Sequence, residues 1–355
     1  MAAYTTIDDP SAHYQNAIWT GDGNDGKQIT NDGNSDLKPD LIWLKDRTQA
    51  ECPAIFDSSR GASIRLQPNS TGVESTESAT QQSFTTDGFT VGTSGSVNNG
   101  SNPDKYVAWQ WKANGGTTSS NSDGSLASTV QANTDAGFSI VTYAGANSTN
   151  TVGHGLGVAP KVVIVRARNK DVPTSWVVFH KDGSTTDDDY WILNSTAAKN
   201  SQAGLWNNQY PSSTTFGIAN DFWVSQSGFN YLAYCFAEVQ GYSKFGIYVG
   251  NGTSGDDGTF IYTGFKPAMI MTKRSSSADA WVVYDNKRDT YNPEENALTW
   301  NACTAEADFV NWDFVSNGFK SRTGNSQGAS GVTFIYMAFA ENPFVTSTGI
   351  PATAR

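Results

Sequence analysis

The chain has 355 residues, long enough for two or three domains with a real core, and a formal net charge of -11. That acidity repels phosphate backbones and anionic membrane surfaces, and no apolar run approaches the roughly 18 residues of a membrane span, so neither nucleic acid nor membrane insertion is expected. Charged residues make up only 16% and aromatics reach 12%, amid abundant Gly, Ser, Thr and Asn; this is the make-up of short strands joined by polar turns, and it predicts an all-β chain.

Residues 1–16, MAAYTTIDDPSAHYQN, carry no basic stretch followed by an apolar one, so no Sec-type leader is expected and synthesis in a cytoplasm is. They read as an N-terminal attachment segment. From residue 17 the chain repeats itself, and the repeat has recognisable landmarks. An aromatic stands two residues before glycine at Trp19, Tyr143 and Tyr248. A proline then opens an apolar strand that meets a base six residues later: Pro39 to Lys45, Pro160 to Arg166, Pro267 to Lys273. Short aromatic strands end at Asp57, His180 and Asp285, and an aromatic near the end of each unit falls at Phe89, Phe216 and Phe319.

The closing strands YVAWQWKA, YLAYCFAE and FIYMAFAE align Trp111 with Phe236 and Phe339. At a strand's two-residue period, Val107, Trp109 and Trp111 share one face, as do Leu232, Tyr234 and Phe236, and Ile335, Met337 and Phe339. The other face carries small residues such as Ala108, Ala233, Cys235 and Ala338. Large side chains fill a core; small ones let another layer approach. The landmarks predict three tandem β-sandwich, jelly-roll-like units at 17–113, 137–239 and 240–344, each of about seven short strands. Residues 114–136, rich in Gly, Ser and Thr, read as a linker or as an extended segment laid along a partner. The second and third units, joined around QGYSK, read as a tight pair, and TAEADFVNW at 304–312 has the composition of a short helical turn. Residues 345–355 read as a C-terminal tail.

The segments that offer chemistry are few. VGHGLG at 152–157 has neither the glycine spacing nor the following helix of a dinucleotide site, and His154 does not recur in the other units, so a glycine-rich turn is expected. His13, His154 and His180 lack metal-ligand spacing, and no metal or other cofactor is expected. The loops GDGNDG, NDGNSD, DDD and GDDG could offer oxygens to calcium, but none has EF-hand spacing and turns favour the same residues. Cys52, Cys235 and Cys303 are far apart and odd in number, which predicts reduced, buried thiols. Glu238 and Glu341, equivalent positions after closing strands, read as strand-end ion-pair partners rather than a glycosidase pair; Glu74, Glu77 and Glu306 lie where the units differ. No enzyme is expected, with a polysaccharide depolymerase the minor alternative. Trp191, Trp206, Trp223, Trp300 and Trp312 lie outside the repeated columns; such rings either stack on a ligand from variable loops or close the edges of each sandwich.

MAAYTTIDDPSAH, VGHGLGVAPK, YCFAEVQGYSKFG, YMAFAENPF and PATAR together resemble a repeat family, carried as a domain of unknown function, in virion proteins of marine tailed bacteriophages. The resemblance spans nearly the whole chain. It implies a virion structural protein, made in the host cytoplasm, with other virion proteins as partners and a homotrimer as the assembly. On it rests the leading expectation, a tail-fibre or adhesin subunit that binds a host-surface glycan or protein through loops. The alternative is a purely architectural capsid-decoration, fibre or tail component.

Overall fold

The structure is a computed structural model, and it describes residues 4–101, 104–169 and 174–352, without the side chains of 309–311. It is almost entirely β. The same four-strand order, opening, closing, proline and short strand, occurs three times. It runs Tyr14–Thr20, Lys105–Trp111, Leu41–Asp46 and Ala54–Asp57 in the first instance. The second is Phe138–Ala144, Asn230–Phe236, Val162–Ala167 and Val177–His180, and the third Ser243–Val249, Thr333–Pro343, Phe265–Arg274 and Trp281–Asp285.

The register is the same each time. Trp111, Phe236 and Phe339 face Tyr14, Phe138 and Ser243 on the opening strands and Leu41, Val162 and Met269 on the proline strands; the latter face Asp57, His180 and Asp285. In the second and third units these four strands belong to eight-stranded sheets, and each four-strand array is covered on one face by a second layer in which Phe89, Phe216 and Phe319 pair with Ile29, Val152 and Ile261.

The units do not stand in line. The large-residue faces of all three closing strands meet in one core, together with Tyr14, Phe138 and Phe245 from the opening strands. The small-residue faces look outward, Ala108 to the first unit's own core, Ala233 and Cys235 to the second's, Ala338 to the third's. At the centre Trp111, Phe236 and Phe339 meet pairwise edge to face, with centroids 6.1, 5.4 and 5.9 Å apart, the arrangement ring quadrupoles favour. The expectation of one loose unit and one tight pair is therefore corrected: the three are wrapped round a common axis.

Around that axis each unit hands a group to the next. Tyr234 donates its hydroxyl to Asp57 at 2.7 Å, His180 Nε2 lies 3.2 Å from the Tyr336 carbonyl, and Trp109 donates its indole N–H to Asp285 at 3.0 Å. Asp57 and Asp285 are fully buried and each is neutralised by its own arginine, Arg60 or Arg288. A backbone bond of 2.8 to 2.9 Å recurs at every seam, from Glu74 to Arg168, Lys199 to Ser275 and Glu306 to Arg47. Bidentate Arg168–Glu74 and Arg47–Glu306 pairs reinforce two of them.

The indoles of Trp176 and Trp281 bond the carbonyls of Gln67 and Ile192 across two seams. The first unit has Pro53 in that place, four residues before Asp57. Beside it Cys52 forms a disulfide with Cys303, and Trp43 stacks on Trp300 at 3.9 Å. The reduced-thiol expectation holds only for Cys235, which is buried and free. Cys52 and Cys303 are 251 residues apart in sequence, and closure of the ring sets their Cα atoms 3.9 Å apart.

Three further readings change. Residues 114–136 are not a bare linker: Ser119–Asn121 and Ser128–Asn133 are strands, the latter paired along the second unit's opening strand. The stretch 304–312 enters a strand, Ala307–Val315, instead of a helical turn. The N-terminal segment is not free over its described residues 4–16: Ile7 is buried in the common core, Thr5 bonds Gln240, and Asp8 bonds Ser347 near the other end.

Candidate functional site

The residues singled out by sequence are mostly engaged within the fold. Trp191, Trp206, Trp300 and Trp312 are at most 2% exposed, and Trp223 is half-buried against Tyr190 and Phe222. Trp206 bonds the Asp189 carbonyl, Trp312 packs on Tyr248 and Phe319, and Trp191 lies against His180. Four of the five offer no face to a sugar: Trp206 and Trp312 lie in the cores of the second and third units, Trp191 and Trp300 in the common core. His154 is buried, with its Nε2 at 3.2 Å from the Ser212 carbonyl and Nδ1 accepting from the Leu156 amide. Those bonds suit the neutral ring, and burial lowers its pKa below the ordinary imidazole value.

Glu238 pairs with Lys161 and Lys244, and Glu341 with Lys266. The acidic loops are likewise tied: Asp22 to Lys27, Asp32 to Lys287, Asp189 to Lys199, Asp256 to Arg322. Among the described residues, no three His, Cys, Asp or Glu side chains gather where they could hold a metal ion.

The bases that follow the prolines have a role the pattern alone did not disclose. Lys45, Arg166 and Lys273 are at most 1% exposed, and each donates to one or more backbone carbonyls. Arg166 bonds the Thr71 and Gly72 carbonyls of the first unit, and Lys273 the Thr196 carbonyl of the second. Lys45 bonds the Asp46 carbonyl. Burial brings both lysines down to about 8 and the arginine to about 10.

A polar cleft of about 380 Å³ lies at the seam between third and first units, and a second concavity of about 340 Å³ lies beside the second unit's opening strand at Thr129 and Thr142. In the seam cleft Tyr14, Gln15 and Asn16 form one wall; Ala268, Asn286 and Lys287 form the other. Asn16 bridges the walls, donating to the Ala268 carbonyl at 3.0 Å and to Asn286 Oδ1 at 3.1 Å. The Tyr14 hydroxyl donates to Asn16, and burial with Asp285 nearby holds that phenol well above its ordinary pKa. The sequence carried one signal of this cleft. Register places Asn16 where Ile140 and Phe245 stand in the other units, a polar side chain in an apolar column.

This cleft lies at the start of the free edge of the first opening strand, which lines it from Tyr14 to Asn16. His13 accepts from Lys112 and Gly21 donates to Asp104, so odd-numbered residues bond the closing strand, while Asn16 and Ile18 turn their N–H and C=O groups away from it. In the third unit Phe245 and Ile247 are placed likewise, and Ile247 and Val249 are 46% and 50% exposed. Among the described residues only the second unit has this edge covered, by Ser128–Asn133.

Fold and cleft together define an all-β protein whose sheets share one core and, among the described residues, leave two opening-strand edges uncovered. A family model described as Domain of unknown function (DUF7483) matches residues 9–343, and the chain belongs to that family. The match spans all three units, as their common core requires. No curated protein and no solved structure matches.

Proposed function

We propose that this chain is an architectural component of a virus particle, a rigid block to which other chains attach. The observation that carries the reading is the destination of its rings and charges. Tryptophans, arginines and carboxylates that a recognition site would keep at the surface lie in the seams and cores, where they hold three units in one orientation. The resemblance of its motifs to tailed-phage virion proteins supplies the particle. One chain already contains the threefold packing, so a homotrimer would be assembled through outer surfaces and not through the aromatic axis. Purified particles analysed by quantitative mass spectrometry and imaged at intermediate resolution should contain the chain in fixed copy number at a defined location. Its absence from purified particles would sink the proposal.

The adhesin reading keeps one observation in its favour. Phe260 and Tyr262 alternate on an edge strand of the third unit, 48% and 53% exposed, and the neighbouring Thr259 hydroxyl donates to the carbonyl of Val249, itself 50% exposed. If this patch binds a host-surface glycan or protein, antibodies against it will block adsorption. Unimpaired adsorption removes that reading and leaves the architectural one.

A further inference from the structure

The three opening strands are equivalent in register, yet among the described residues only one is covered. In the second unit Asn133, Gln131 and Thr129 face Phe138, Ile140 and Thr142, and those three residues turn their backbone groups toward the covering strand. Gln131 sits in the groove between that edge and the end of the first unit's short strand. Its amide donates to the hydroxyls of Ser58 at 3.0 Å and Ser59 at 2.8 Å, and its carbonyl accepts from the Gly116 amide at 2.7 Å. The same groove exists at the next seam. Asn16 and Ile18 occupy the places of Ile140 and Thr142, while Asn286 and Lys287, following Asp285, occupy those of Ser58 and Ser59, following Asp57. The polar cleft lies at the Asn16 end of that position, against Asn286 and Lys287, and Ile18 continues the edge beyond it, 44% exposed.

We infer that this cleft accepts a β-strand in trans: an extended, uncharged, polar segment of another protein chain, running antiparallel to Tyr14–Thr20. Its amide-bearing side chain would lie opposite Asn16 and reach Asn286 and Lys287. The covering strand of the second unit, STVQAN, shows the chemistry such a groove takes: hydroxyl and amide side chains, one valine, one alanine and no charge. Backbone bonds to a free edge supply affinity, and side chains at alternate positions supply choice. The inference deepens the architectural reading and rests on it only for the source of the strand.

The test uses the full chain and a synthetic peptide of residues 126–134, LASTVQANT, as the probe. Hydrogen exchange should slow at least tenfold in residues 14–20 at saturating peptide, with no change in 138–144, whose edge is taken. Ile18→Pro removes an N–H that bonds nothing among the described residues, so the melting temperature should hold while the protection disappears. Should that proline disturb the fold, Lys287→Trp obstructs the cleft from a partly exposed position and should remove the protection on its own. Absence of protection at millimolar peptide, or protection that survives both substitutions, overturns the inference. Protection that rises with protein concentration and without peptide also overturns it, because the occupant is then a second copy. Absence of the chain from particles would defeat the architectural reading and leave the peptide result standing.

Discussion

Phe339→Ala tests whether the three units are one thermodynamic body. Phe339 is 1% exposed and its ring contacts those of Trp111, Phe236, Tyr14, Tyr242 and Phe245, which come from all three units and the N-terminal strand. Removing a buried phenylalanine ring costs about 3–5 kcal/mol through lost transfer energy and a residual cavity. If the whole chain unfolds together, an unfolding entropy of about 2.1 cal/mol/K per residue gives about 0.7 kcal/mol/K, and the single transition should fall by about 5 °C. If the units melt separately, the same loss falls on roughly 100 residues and moves one transition by about 20 °C, leaving the other two in place. Differential scanning calorimetry separates these cases, because a single body has equal calorimetric and van't Hoff enthalpies. A third of the heat absorption moving by itself would refute the common core.

Three further outcomes are expected. Replacing Cys52 and Cys303 by serine opens a loop of 251 residues across the closing seam; the chain-entropy model gives a loss of up to about 5 kcal/mol, and a melt unmoved by the substitution or by reductant would contradict it. Asp57→Ala leaves Arg60 buried without its carboxylate. It should cost about 3–5 kcal/mol, and Tyr234→Phe about 1–3 kcal/mol, read as shifts in denaturant midpoint at constant slope. Burial lowers His180 to about 4. The unfolded chain therefore takes up a proton below about pH 6.5 that the folded chain refuses until about pH 4, so stability falls as pH drops through that window, by about 3 kcal/mol from this residue. His180→Gln should flatten the stability profile between pH 6.5 and 4; an unchanged profile would show that His180 does not contribute.

The alternation of large and small residues in the closing strands was legible because a strand's period is two, and both faces proved to be covered as the pattern implied. The columns headed by Asp57, His180 and Asp285 also stand in register. What covers the large face was not legible: a strand shows that a side is buried, not whether the neighbour belongs to its own unit or to the next. Residues 114–136 misled for a related reason. An edge strand that pairs through its backbone needs little apolar surface, and Val130 is the one large apolar side chain between Ser128 and Asn133. The five tryptophans lay in segments that differ between units, and difference was as compatible with packing against unlike neighbours as with ligand choice. The cleft itself was signalled only by Asn16, and only register showed that its column is otherwise apolar.

Three identical subunits round an axis would carry three identical rims, and nothing docking from the side could tell one from another. A single chain removes that degeneracy. Here one rim is sealed by residues 119–133, one is a polar cleft at Asn16, and one is apolar at Ile247 and Val249. The block has a heading about its own axis. A neighbour that selects one rim also sets the rotation of everything fixed to the others, which lets an assembly of such blocks be ordered without a symmetric ring of partners.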